Sequence, residues 1–411
     1  MTESAYHPHK DRKGIALCLS GGGFRAALFH LGAIRRLNEV GFLSKVDTFS
    51  SVSGGSIANG LLAKVWPTLK KDQAGVFGNL LSSYETPLRE FCGKDLRTGV
   101  LITSRLNPAH WAELAGADHS VTDLLAHAYE DRLVGRLSLG DLATIRKNGG
   151  PRFVFCTSSL QTGVDFQFTG EGVGDWQIGQ AEAPEILVAD AIAASSAFPI
   201  AFPPLVLRFD PGRFTKREGL LSDVELKREL RRRVVLSDGG VYDNLGLEPV
   251  WKDHAMVLCS DGGKPFALAP SPGVSSVPRL LRVQDVIGNQ AIALRKRWLV
   301  SSFESKVYSG AYWGIGTEID GYPQHGVGYQ GVVLSRLREV RTDLDKFSEK
   351  EQLVLMNHGW ALGDAAIRSY LPKDSLPENI PVGLVPDSGL LNDAVAAAQA
   401  LERSDVTKLF E

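Results

Sequence analysis

Short apolar runs, each ended by a glycine or serine and several separated by helical stretches, constrain this 411-residue chain more than any other feature. They are GIALCLS (14–20), VDTFSSVS (46–53), RFVFCTSSL (152–160), VVLSD (234–238) and AMVLCSD (255–261). Runs this short and this apolar read as strands buried on both faces of a mainly parallel sheet. Between the first two lies FRAALFHLGAIRRLNEVG, where Leu28, Leu31, Ile34 and Leu37 share one helical face. A βαβ opening of this kind predicts an α/β fold.

The remaining organisation is read around that sheet. Residues 1–12 form a polar tail, 13–322 the main domain, 66–140 a helical insertion expected to cover the sheet edge or act as a lid, and 323–411 a mainly helical extension packed on the domain. VQDVIGNQAIALRKRWLVSSF reads as one long helix, and Ser348 with Glu351 as a capping box ahead of a helix to about Tyr370. Between Arg208 and Arg233 nine basic residues face five acidic ones; a solvated helix face is the plain reading, attraction to anionic lipid head groups the sharper one.

Composition removes several classes of function. A net charge of -2 lacks the positive field that nucleic-acid binding needs. The four cysteines are far apart with no CxxC pair, which argues against a zinc ribbon or a disulfide framework and suits core positions in a reducing compartment. The start of the chain lacks an apolar secretory segment and no run approaches membrane-spanning length, so the expected location is the cytoplasm, with membrane contact only peripheral.

Two corners carry the chemistry. In the first, LSGGGFRAAL, three glycines join a strand to a helix and leave N–H groups uncovered at the helix N-terminus, a place for negative charge. The charge can be a phosphate, since Gly21 to Ala26 satisfy the dinucleotide fingerprint GxGxxA, or an oxyanion formed during acyl transfer. The dinucleotide reading needs an acidic residue at the end of the second strand, and Asp47 stands at its beginning.

In the second corner, Ser51-Val52-Ser53-Gly54-Gly55 matches the nucleophile elbow GxSxG with Ser51 replacing the first glycine. The elbow needs small residues there because strand and helix pass close together. A proton acceptor must follow. The later histidines His110, His119, His127, His254, His325 and His358 do not stand in segments that read as loops at the strand ends. Asp238, ending VVLSD before two glycines, is the better base, with Asp261 in the repeated string Ser260-Asp261-Gly262-Gly263 as its competitor.

Taken together and in this order, SGGGFRA, SVSGG, AIAASSAFPIAFPP (191–204) and DGGVYDN resemble the patatin-like phospholipases, and SGGGFRA is also similar to the glycine loop of eukaryotic cytosolic phospholipases. The resemblance implies a three-layer α/β/α fold, a Ser-Asp dyad needing no metal or cofactor, and hydrolysis of glycerolipid acyl esters at a phospholipid or membrane surface. On its motif positions Ser53 is the nucleophile and Asp238 the base; Gly21, Gly22 and Gly23 form the oxyanion loop, joined by Gly54, and Arg25 receives the lipid phosphate. An acyl-CoA thioesterase or acyltransferase using the same dyad is the alternative, and a protein binding a dinucleotide through the Gly21 loop is a further one. Ser51 and the long segment after Gly246 depart from the family pattern.

Overall fold

A computed structural model describes residues 8–100, 120–199, 201–273 and 275–406. Its centre is a ten-stranded sheet with helices on both faces, a three-layer α/β/α arrangement. Strand β1 (Ile15–Leu19) leads to helix α1 (Gly23–Glu39), and β2 (Thr48–Val52) to α2 (Gly54–Val65). The sheet continues with β3 (Arg152–Ser159), a meander of β4 (Asp165–Thr169), β5 (Gly172–Asp175) and β6 (Gly179–Ala181), then β7 (Leu205–Arg208), β8 (Arg233–Asp238), β9 (Met256–Asp261) and β10 (Ser309–Gly314). The spatial order is β10-β9-β1-β2-β3-β4-β5-β6; β8 also pairs with β3, and β7 with β8. Strands β10, β9, β1, β2 and β3 are parallel, which is the expected block.

All five sequence-read strands are present, but β8 differs in direction: it runs antiparallel to β3. That direction positions the site. Val52 pairs with Cys156, the last β2 contact on β3, and Asp238 pairs with Thr157, the next residue along β3. Thr157 and Ser158 also pair with β4, so β8 must occupy the opposite edge of β3, the one β2 has just vacated. Strands β2 and β8 therefore meet end to end, and the residues at the junction are Ser53 and Asp238.

One face of the sheet is covered by α1, α2, α3 (Val188–Ser195) and a C-terminal helix, α6 (Glu349–Tyr370). The other carries residues 239–254, including the short helix α4 (Gly240–Asp243), and the end of α5 (Ser276–Glu304), where Leu245, Leu247, Val250 and Leu299 pack on Ala16, Cys18, Val257 and Cys259. All four cysteines are buried and unpaired, as core residues.

Helices α1 and α6 cross with their backbones in contact. A Cβ on Gly32 would lie 1.9 Å from Met356 O, and one on Gly359 would lie 1.9 Å from Phe29 O. The buried Arg36–Asp364 ion pair, 2.7 Å, ties the same two helices, and the Ser348–Glu351 capping box starts α6 as read from sequence. The segment after 323 is thus part of the main core; the sheet itself extends to Gly314.

The proposed insertion holds the helices Thr86–Cys92, Val121–Tyr129 and, at its end, Leu139–Lys147, with a turn closed by a Lys71–Phe77 bridge before them, and its Tyr84, Leu88, Leu125 and Tyr129 lie in the core. The middle of the expected lid, 101–119, lies outside the described residues. The basic stretch 208–233 is the connection between β7 and β8, with a short turn at Pro211–Arg213, a solvated helix, Val224–Arg232, and Arg213–Glu185, Lys216–Glu182 and Lys227–Glu218 ion pairs, matching the plain reading.

Candidate active site

Ser53 adopts φ 50°, ψ -118° between β2 and α2, a backbone conformation strained for any residue with a Cβ. The packing around it dictates small neighbours. A Cβ on Gly54 would sit 2.0 Å from Gly23 O, and one on Gly55 2.2 Å from Leu19 O. Ser51 fits where the elbow pattern has glycine because its hydroxyl is fully used: it donates to Val154 O (3.0 Å) and accepts from Ser56 Oγ (3.0 Å) and Asn59 Nδ2 (2.9 Å).

The small-residue block 191–198 braces both halves of the junction. Ser195 Oγ accepts from the Ser53 N–H (2.9 Å), pairs with Ser56 Oγ (2.9 Å) and donates to Cys156 O (2.7 Å). Its carbonyl receives the Gly239 N–H at 3.2 Å, while Ala197 O receives the Asp238 N–H at 3.0 Å. Ser195 was absent from the sequence reading as a positioning residue; the run of small residues was the available signal.

Asp238 is buried and accepts the Gly240 N–H at 2.7 Å, and the Ser53 hydroxyl lies near enough to favour its charged form. Burial raises its carboxyl to a pKa of about 6, and those two neutral donors only partly offset it. Asp261 is equally buried yet has the opposite balance. Burial pushes it up, but the Lys296 ammonium at 2.5 Å, the Tyr312 hydroxyl at 2.7 Å and the Gly263 N–H at 2.9 Å together hold it below the usual carboxylate value. Asp243, in the same motif as Asp238, shapes the loop by accepting the N–H groups of Leu245, Leu247 and Glu248.

The glycine loop faces Ser53. Gly22 has φ 143° and Gly23 φ 59°, conformations open to glycine, and the Phe24 N–H behind them donates to Asp343 O at 2.9 Å. Among the described residues the N–H groups of Gly22, Gly23 and Gly54 make no bond within the chain. Gly21 departs from its expected role: its N–H donates to Asn244 O at 3.1 Å. Its missing Cβ instead makes room for Asn244 Oδ1 and Ser53 Cβ, which a methyl would approach to 2.4 and 3.1 Å.

Arg25 is placed differently from an open phosphate receptor. It is fully buried, donating to Gly262 O (3.0 Å) and Val340 O (2.7 Å), and burial lowers its pKa to about 10. It clamps the loop between β9 and the C-terminal segment. The histidines are also engaged elsewhere: His254 with Thr48 Oγ1 at 2.9 Å, and His358 with Ile315 O at 2.9 Å. His30, behind the loop, bridges Ser260 Oγ (2.7 Å) and Ser20 O (2.9 Å), and burial lowers it to about 4. His110 and His119 lie outside the described residues. Asp47 receives the Ile15 N–H at 2.7 Å, at the sheet edge away from Ser53, where a ribose bound over the glycine loop is out of reach.

The family model "Patatin-like phospholipase" matches residues 17–251, more than half the chain. No curated protein sequence matches. Among solved structures, human GIVD cytosolic phospholipase A2 is similar with a TM-score of 0.49 and 14% identity over 95% of this chain, which spans 60% of that protein's length. VipD from Legionella pneumophila has a TM-score of 0.35 and 14% identity, over 86% of this chain and 66% of that one. ExoU from Pseudomonas aeruginosa, solved with SpcU, gives a TM-score of 0.24 and 17% identity over 73% of this chain and 53% of that one. With its motifs and the family match in the same order along one sheet edge, this chain belongs to the patatin-like phospholipases.

Proposed function

We propose that the protein is a lipid acyl hydrolase of phospholipase A or lysophospholipase type, cleaving fatty-acyl esters of glycerophospholipids with Ser53 as nucleophile and Asp238 as base. The observation that carries the reading is the junction of β2 and β8, which sets the buried Asp238 carboxylate beside a serine held in a strained elbow; burial raises that carboxyl to about 6. At neutral pH such a group is mostly ionised yet more basic than a solvated aspartate, the compromise a general base requires.

Asp238 takes the Ser53 proton as Oγ bonds to the acyl carbon. The carbonyl oxygen becomes negative beside the N–H groups of Gly22, Gly23 and Gly54, which have no competing partner among the described residues. The tetrahedral centre collapses, the ester C–O bond breaks, and the departing lysolipid alkoxide recovers the proton from Asp238. Water, losing its proton to the same carboxylate, attacks the acyl carbon; the acyl–Oγ bond breaks, the fatty acid leaves, and Asp238 returns the proton to Ser53 Oγ. Arg25 supports this indirectly by fixing the glycine loop.

The test is incubation with mixed phospholipid vesicles and mass spectrometry of the products. Wild type should release free fatty acid and lysolipid, and Ser53→Ala neither. Equal release from both proteins contradicts the reading.

A further inference from the structure

Helix α5 is the least accommodated element of the fold. It follows β9 and returns to β10, running against the parallel strands. Only its end lies on the sheet, where Leu299 is buried. Lys296 meets Asp261, the last residue of β9, so the helix passes the catalytic edge of the sheet at that point. Everything before it continues beyond the edge that carries Ser53. Residues 276–290 span about 22 Å at 1.5 Å per residue, and every described side chain among them except Arg282 is exposed.

That stretch is not polar. Leu280, Val283, Ile287 and Leu294 fall at helical spacings of three, four and seven, and all are exposed, Leu280 at 67% and Ile287 at 61%. The rim of the site adds two more exposed apolar side chains: Phe198, next to the Ala197 carbonyl that holds Asp238, and Val241, on the turn after it. Charge accompanies the apolar surface. Residues 264–298 hold six Lys/Arg (264, 279, 282, 295, 296, 297) and one acidic residue, Asp285, so the segment carries +5 in a chain of net -2. Arg282, Arg295 and Lys296 are paired with Asp285, Glu248 and Asp261, which leaves Arg279 as the cation of the outer turns, with Lys264 before the helix and Arg297 nearer its inner end.

No described helix is long and apolar enough to cross a membrane. An exposed apolar stripe flanked by cations fits a helix lying in the head-group region of an anionic bilayer. We infer that α5, with Phe198 and Val241, docks the protein on an anionic lipid surface and points the Ser53 edge at it. The inference rests on the lipid-hydrolase reading for its purpose, but its test does not.

Full-length Ser53→Ala protein, which removes turnover, is sedimented with vesicles of equal parts phosphatidylcholine and phosphatidylglycerol, and with phosphatidylcholine alone. Binding is expected to the mixed vesicles, weaker to the neutral ones, and reduced at least about tenfold by Leu280→Glu, Val283→Glu and Ile287→Glu together. In the active chain the same triple variant should cleave a soluble short-chain ester at the wild-type rate. Undiminished sedimentation of the triple variant overturns the proposal. So does a wild-type dimer, seen by light scattering, that the substitutions dissolve while neither protein binds vesicles. Persistence of ester cleavage in Ser53→Ala is a separate failure, of the catalytic reading alone.

Discussion

Two corners of this molecule share the string Ser-Asp-Gly-Gly, at 237–240 and 260–263, and both aspartates end a strand, lie buried and accept an N–H two residues on. They differ in what faces the carboxylate. Asp261 meets a lysine and a tyrosine hydroxyl, and its negative charge is satisfied and fixed. Among the described residues Asp238 meets neutral groups, the Gly240 N–H and the nearby Ser53 hydroxyl, and burial leaves its pKa raised. The contrast teaches that a strand end before two glycines supplies a placed carboxylate, while the partner across the gap decides whether it is structural or poised to move a proton.

The largest expected effect separates the two directly. Asp238→Asn should lower kcat for ester hydrolysis by roughly 10³–10⁴, as loss of an essential base does, whereas Asp261→Asn should stay within about tenfold of wild type. Comparable losses in both, measured by steady-state kinetics on a soluble ester, break the distinction. Next comes the space between the corners: Gly54→Ala forces a methyl to 2.0 Å from Gly23 O, so the glycine loop must move. An activity loss of about a hundredfold, with destabilisation of about 1–3 kcal/mol by thermal melts, is expected.

The effect on melting, with activity left aside, is the most discriminating, because its sign differs. The folded-state pKa of Asp238 is raised, so its ionisation destabilises the fold progressively as pH climbs from about 4 through about 6, by about 3 kcal/mol for a shift of that size. Asp238→Asn should therefore melt a few degrees higher than wild type at pH 7.5 and lose that advantage at pH 4. The folded-state pKa of Asp261 is depressed, so its contribution is present at neutral pH and fades as the solution is acidified through the carboxylate range. Asp261→Asn should melt lower than wild type at pH 7.5. Melting shifts of the same sign contradict the electrostatic account.

Much of this was legible in the sequence, and what was not has local reasons. Strands β1, β2, β3, β8 and β9 announce themselves because burial on both faces removes polar residues from short runs. The direction of β8 is not in its own residues; it follows from the strand it meets and from the hairpin with β7 that delivers it. The β4–β6 meander mixes Gly, Asp and Gln into strands of three to five residues, too short for alternation to stand out. Ser53 was readable because its corner demands small residues on both sides. The choice between Asp238 and Asp261 was not fixed by the string, since Lys296 sits on a distant helix. The phosphate role that the resemblance implies for Arg25 differs from its placement for the same reason: the carbonyls that occupy it belong to Gly262 and Val340, distant in sequence.

The central claim, that Asp238 and not Asp261 activates Ser53, is tested most directly by the rate at which a fluorophosphonate modifies Ser53 as a function of pH, with the adduct located by mass spectrometry. In wild type and Asp261→Asn the rate should rise through a midpoint near pH 6, following ionisation of Asp238. In Asp238→Asn it should be at least about a hundredfold slower and lack that midpoint. A midpoint near 6 that survives in Asp238→Asn and vanishes in Asp261→Asn would contradict the account.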